Sequence, residues 1–162
     1  MNIRSEIYKE LKAEIKSKFP ELQFIDMQKR QFEKADQNYP IPLPACLIEF
    51  KPVSWSNTIG EQIGDAIICL HLYVDLVTDS FDDSESENDT INILDNQDAL
   101  HDRLNGFSGT HFAPLSRSYD NTAQYGNRFI CFPVDFKTVI TCPADQVITT
   151  AARPEPKFHF NK

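Results

Sequence analysis

The residues of this chain best suited to chemistry are its four cysteines and four histidines. Cys46, Cys69 and Cys131 fall in three separate apolar stretches. His71 stands two residues from Cys69, on the same face if that stretch is extended. Thiolate and imidazole groups together could in principle bind a metal ion. The spacings by which one local element supplies two ligands, C-x-x-C or H-x₃₋₅-H, are missing. The thiols are therefore expected to act as small core hydrophobes, and no metal or other cofactor is expected.

The acidic run Asp79, Asp82, Asp83, Glu85, Glu87 and Asp89 raises calcium as a second chemistry. Counted from Asp79, the third position of an EF-hand loop falls on Phe81 and the sixth on Ser84, where a carboxylate and a glycine are needed. The match fails, and a run of like charges reads as a solvated loop. Asp95, Asp98 and Asp102 recur at helical spacing opposite an apolar stripe, which makes them the wet face of a helix. His111, Ser116 and Asp120 contain the residue types of a hydrolytic triad without a spacing that ties them together. The five glycines, at 60, 64, 106, 109 and 126, form no phosphate-cradling loop, and no G-x-S-x-G elbow is present. No catalytic residues are assigned, and the chain is not expected to be an enzyme.

Two further features read as contacts. Trp55 lies in a polar stretch after Pro52 and either anchors an interface or packs on the edge of a sheet. Phe158 and Phe160 flank His159 near the C-terminus, in a segment that is either disordered or added to a neighbour as an extended strand.

The elements that must position these residues follow from periodicity. Ile3, Ile7, Leu11, Ile15 and Phe19 recur every four residues and predict a helix over 3–18, ended by Pro20. A weak strand is expected over 22–30, then a proline-rich loop over 33–44. Residues 45–51 alternate, with Cys46, Ile48 and Phe50 opposed to Ala45, Leu47, Glu49 and Lys51. Residues 65–77 form the longest strand signal. Ile68, Leu70, Leu72, Val74 and Leu76 share one face, and Ile67, Cys69, His71, Tyr73 and Asp75 the other. That half-polar second face predicts a sheet with one side toward helices and one toward water or a partner. A second helix is expected over 90–105, with Asp89 as N-cap, an apolar stripe of Ile93, Leu94, Leu100, Leu104 and Phe107, and Gly106 as its stop. Two strands, 114–125 and 128–138, joined at Gly126-Asn127, complete the pattern. The expected fold class is α+β: two helices packed on one face of an antiparallel sheet, in the order α-β-β-β-α-β-β. Residues 1–142 form a single domain, and residues 143–162 an extended or disordered arm.

Charge bounds the function. The chain has 162 residues and a net charge of −8. Residues 52–105 hold one arginine and twelve carboxylates, a net of −11, so the excess acid is local. An acidic chain without a basic cluster is a poor candidate for specific nucleic-acid binding. No stretch approaches the length of apolar sequence needed to span a membrane. The start, Met1 to Glu6, lacks the apolar centre of a signal peptide, which predicts a chain kept in a reducing cytosol with free thiols.

The succession of LPACLIEF (43–50), AIICLHLYVDLV (66–77), ALHDRLNGF (99–107) and LSRSYDNTAQYGNRFICFPVDF (115–136) resembles the tail-terminator, or tail-completion, family of tailed bacteriophages and prophages. That family's closing hairpin pattern falls here on Arg117, Asp120, Phe132 and Val134. The resemblance implies a structural protein. Such proteins form a ring, usually of six subunits, which caps the head-proximal end of the tail tube and offers a surface to head-completion proteins. It implies as partners the chain itself, a tail-tube protein and a head-completion protein. It implies a location in the bacterial cytoplasm during assembly and then in the virion tail. On this reading the second sheet face would offer Ile67, Cys69, His71 and Tyr73 to a neighbour, with Trp55, Phe158 and Phe160 as further contacts. Asp79, Asp82, Asp83, Glu85 and Glu87 would face a DNA channel or solvent. Another head–tail joining or neck component is the alternative. A small ligand-binding domain or enzyme would need a concave site with convergent polar groups.

Overall fold

Alternation at period two and recurrence at period 3.6 lay out most of the chain. A computed structural model describes residues 3–32, 41–75, 87–125 and 129–143. Helix α1 (Ile3–Lys18) buries Ile3, Ile7, Leu11 and Ile15, the expected stripe. Strand β1 (Phe24–Met27) lies beside β2 (Ala45–Phe50), and β3 (Ser54–Thr58) turns at Gly60 into the long β4 (Glu61–Asp75). Helix α2 (Glu87–Leu104) precedes β5 (Ser116–Asp120), β6 (Ala123–Tyr125) and the long β7 (Phe129–Pro143). The strands form one sheet in the order β1-β2-β4-β7-β5, with β3 also on β4 and β6 also on β7.

The fold is α+β, with both helices on one face. Ile7, Leu11 and Ile15 of α1 and Leu100 and Leu104 of α2 share a core with Ile48, Ile68, Leu70, Phe132, Val134 and Phe136 of the sheet. The central pair β4 and β7 runs antiparallel from Glu61↔Pro143 to Asp75↔Phe129. It is the backbone of the molecule, and its alternation is why the two faces of the sheet can be told apart in the sequence.

Several expectations are corrected in detail. Strand β1 pairs parallel to β2, with Phe24 opposite Ala45. The 28–44 connection is long enough for the crossover that parallel pairing needs. Strand β3 was not expected, because SWSNT is polar and exposed at all five positions and carries no alternation. Its place is set by the turn at Ile59-Gly60, where Gly60 adopts a φ of +86°. The strand expected over 114–125 is broken at 121–122, and its register shifts between Arg117 and Tyr119. Strand β7 continues to Pro143, beyond the expected end at 138, because Thr138, Ile140 and Cys142 carry on its alternation.

Helix α2 starts at Glu87, so Asp89 lies inside it and is not its N-cap. Acidic residues in a first turn suit the helix dipole, and the end of the acidic run is taken into the helix. Leu100 and Leu104 are fully buried, whereas Leu94 is half exposed. Leu94 lies six residues before Leu100, well off its face at 3.6 residues per turn. Gly106 ends the region with a φ of +83°. The expected turn at Gly126-Asn127 lies outside the described residues, but β6 and β7 pair directly on either side of it, Tyr125 opposite Phe129. Beyond Pro143 the expected arm also lies outside them.

Candidate functional site

The second face of the sheet carries the polar chemistry. Alternation places Ala45, Leu47, Glu49, Cys69, His71, Tyr73, Cys131 and Asp135 there, away from the helices. One end is a small apolar cluster in which Phe32 covers the face. Its ring stacks on Tyr73 at 3.9 Å and meets Phe129 edge-on at 4.9 Å. The Tyr73 hydroxyl accepts a hydrogen bond from Gln28 Nε2 at 3.1 Å.

The other end is charged. Register sets Glu49 of β2 opposite Cys69 of β4, and Cys69 opposite Asp135 of β7. Three side chains therefore rise side by side from three adjacent strands. His71, one pleat period along β4, shares their face. His71 Nε2 lies 2.7 Å from Glu49 Oε2, and His71 Nδ1 lies 3.8 Å from Cys131 Sγ. Lys51, just past the end of β2, donates from Nζ to Asp135 Oδ2 at 2.6 Å. The ligand atoms of Glu49, Cys69 and His71 lie within 4.8 Å of one another.

Burial pushes the Cys69 thiol far up from its ordinary range, and the Asp135 carboxylate that accepts its hydrogen bond acts the same way. Burial also pushes the Cys131 thiol up to about 12, against a smaller lowering from the Tyr73 hydroxyl. Lys51 behaves differently. Burial alone would lower it, yet the hydrogen bond and charge of Asp135 hold its ammonium above the ordinary lysine value.

The sequence-derived residues are placed as follows. Ile67 and His71 are half-buried, but Cys69 and Tyr73 are buried within the chain itself. Cys69 lies between its register partners Glu49 and Asp135, and Phe32 covers Tyr73. Trp55 lies on β3, exposed, with its ring against Gly64. Asp79, Asp82, Asp83, Glu85, Phe158 and Phe160 lie outside the described residues, while Glu87 opens α2. Asp95, Asp98 and Asp102 are exposed on α2, as a wet face requires. The three triad-type residues make their contacts elsewhere: His111 Nε2 meets Glu6 at 2.8 Å, Asp120 meets Arg117 at 3.2 Å, and Ser116 is exposed.

All four thiols are free. A Cys69–Cys131 disulfide is excluded by register. Cys69 faces Asp135, four residues from Cys131 along β7, roughly 13 Å away at about 3.3 Å per residue. Glu49 was missed as a site residue. Its signal was its place on the same alternating face as Leu47, but only the register of β2 against β4 puts it beside Cys69. Among the described residues, no helix is long and apolar enough to cross a membrane. No protein-family model matches the chain, and comparison with curated proteins finds no match.

Proposed function

We propose that this chain is a structural part of a bacteriophage or prophage tail, a tail-terminator-like protein. Its copies would close into a ring, six in the usual form, on the head-proximal end of the tail tube. That ring would bind the tube protein below and a head-completion protein above. The protein would assemble in the bacterial cytoplasm and remain in the virion tail.

The observation that carries this reading is the β3–β4 hairpin. All five residues of β3 are exposed, Trp55 keeps 44% of its surface in water, and Ile59 at the turn is fully exposed. Among the described residues β3 pairs with β4 alone. An exposed hairpin with two large apolar side chains invites association. A contact between this hairpin and a different patch of the next copy would be heterologous, and such contacts generate rings when the rotation closes. The local net of −11 over residues 52–105, of which Asp95, Asp98 and Asp102 are exposed on α2, would keep DNA from adhering as it passed through.

Sedimentation and electron microscopy of the purified chain test the reading. A concentration-dependent ring is expected, and Trp55→Ser with Ile59→Ser should leave a folded monomer. In the phage, deleting the gene should give tails of uncontrolled length. Tails of normal length from that deletion would refute the proposal.

A further inference from the structure

We infer that Glu49, Cys69 and His71 form a binding site for a divalent transition metal of the zinc class. Each residue offers one ligand atom, and the three atoms lie within 4.8 Å of one another. Zinc bonds of about 2.0 to 2.3 Å set tetrahedral ligand atoms roughly 3.5 Å apart, within reach of small side-chain rotations from this arrangement. The set suits the ion in kind: a thiolate, an imidazole and a carboxylate, whose two negative charges neutralise a dication.

The framework is rigid where it needs to be. Glu49 and Cys69 are register partners in the middle of the sheet, and His71 follows on the same strand. His71 Nε2 and Glu49 Oε2 already meet at 2.7 Å, so a metal would replace the proton that now joins them. Behind the ring, Nδ1 faces Cys131 Sγ at 3.8 Å, which fixes the orientation of the imidazole from its other side. The remaining nearby carboxylate, Asp135, is engaged by Lys51 at 2.6 Å. That leaves three protein ligands and a fourth position for water or an added group, reached from the side of Glu49, whose side chain is 41% exposed. Cys69 and His71 come from one strand at a spacing of two, but Glu49 joins them from β2 only through register, which is why no sequence motif announced the set.

The site does not depend on the ring reading, and its test does not use assembly. The purified full chain, stripped with a chelator, is titrated with cobalt(II) and followed by absorption. One cobalt per chain is expected, with the visible bands of a tetrahedral ion and a near-ultraviolet band from thiolate charge transfer. Cys69→Ser should abolish the charge-transfer band. Glu49→Gln, at a side chain that is 41% exposed, should weaken binding at least about tenfold, since even outer-shell partners cost about that much. Cys142→Ser should change neither. Zinc should displace the cobalt and raise the midpoint of thermal unfolding of the wild type by more than that of Glu49→Gln at the same zinc concentration. The inference is overturned if the wild type develops no thiolate band, or if the band and affinity survive in Glu49→Gln.

Discussion

Lys51 and Asp135 are 84 residues apart in sequence, yet Nζ of one lies 2.6 Å from Oδ2 of the other on the face of the sheet away from the helices. The pair ties the end of β2 to β7 across β4. Asp135 is buried, whereas the lysine reaches water. Removing the lysine therefore strands a buried charge, while removing both partners does not. Lys51→Met should lower stability by about 1–3 kcal/mol, and adding Asp135→Asn should recover part of that loss. Urea unfolding of the two single variants and the double variant measures the coupling. Equal and additive losses would mean that the pair carries no interaction of its own.

Gly64 sits opposite Trp55, and the indole lies on the space where a side chain would be. A Cβ at position 64 would come 2.6 Å from Val53 Cγ1 and 2.8 Å from Trp55 Cε3. Gly64→Val should therefore cost about 1–3 kcal/mol through overpacking and should push the indole off the hairpin. Trp55 is the chain's single tryptophan, so its fluorescence reports this displacement without ambiguity. The variant should emit to the red and be quenched more readily by acrylamide. Unchanged emission with an unchanged unfolding midpoint would show that the ring does not rest on Gly64.

The legible parts of this fold were those where one face is buried and the other is wet. Ile3, Ile7, Leu11 and Ile15 read as a helix, and Ile68 to Val74 read as a strand, because burial alone decides those residue types. Ser54–Thr58 has no buried face, so nothing in its composition marked it as a strand. The parallel pairing of β1 is a property of a long connection and not of FIDM itself. The candidate site was half legible. Cys69 and His71 shared a face by their spacing, whereas Glu49 joins them only through the register of β2 on β4, which no single strand encodes. The cover supplied by Phe32 was likewise hidden, since it comes from a segment without periodicity.

Asp26 links α1 to β1 and should give the fold part of its acid sensitivity. Burial alone would raise its carboxyl, but the Met27 amide, the hydrogen bond and charge of Lys29, and the charge of Lys12 hold it below the ordinary 3.8. A carboxyl depressed in the folded state stabilises it above the unfolded value, and that stability is lost as pH falls through the lower folded value. The pair with Lys29 at 3.2 Å is largely in water, so the gain is below about 1 kcal/mol. Wild type should exceed Asp26→Asn in stability above about pH 5, and the gap should narrow as pH falls below the ordinary 3.8. Denaturant midpoints across that range provide the check, and a gap that widens toward acid would reverse the assignment.

The thiols give a test of which face is closed, and by what. Cys46 lies in the helix-covered core, fully buried, and burial with Cys131 nearby pushes its thiol up to about 12. Cys131 is on the opposite face, in the cluster that Phe32 closes together with Tyr73 and Phe129. Cys142, near the end of β7, is the least buried of the four. Alkylation of the native protein requires both access and thiolate, so Cys142 should react first and the others slowly. Phe32→Ala should remove a core ring at a cost of about 3 kcal/mol. It should speed alkylation of Cys131 and leave Cys46 as slow as before, because the sheet stands between them. Peptide mapping after a timed pulse of iodoacetamide resolves the four sites. If Cys46 and Cys131 accelerate together, global unfolding opens both, and Phe32 is not the local cover of the second face.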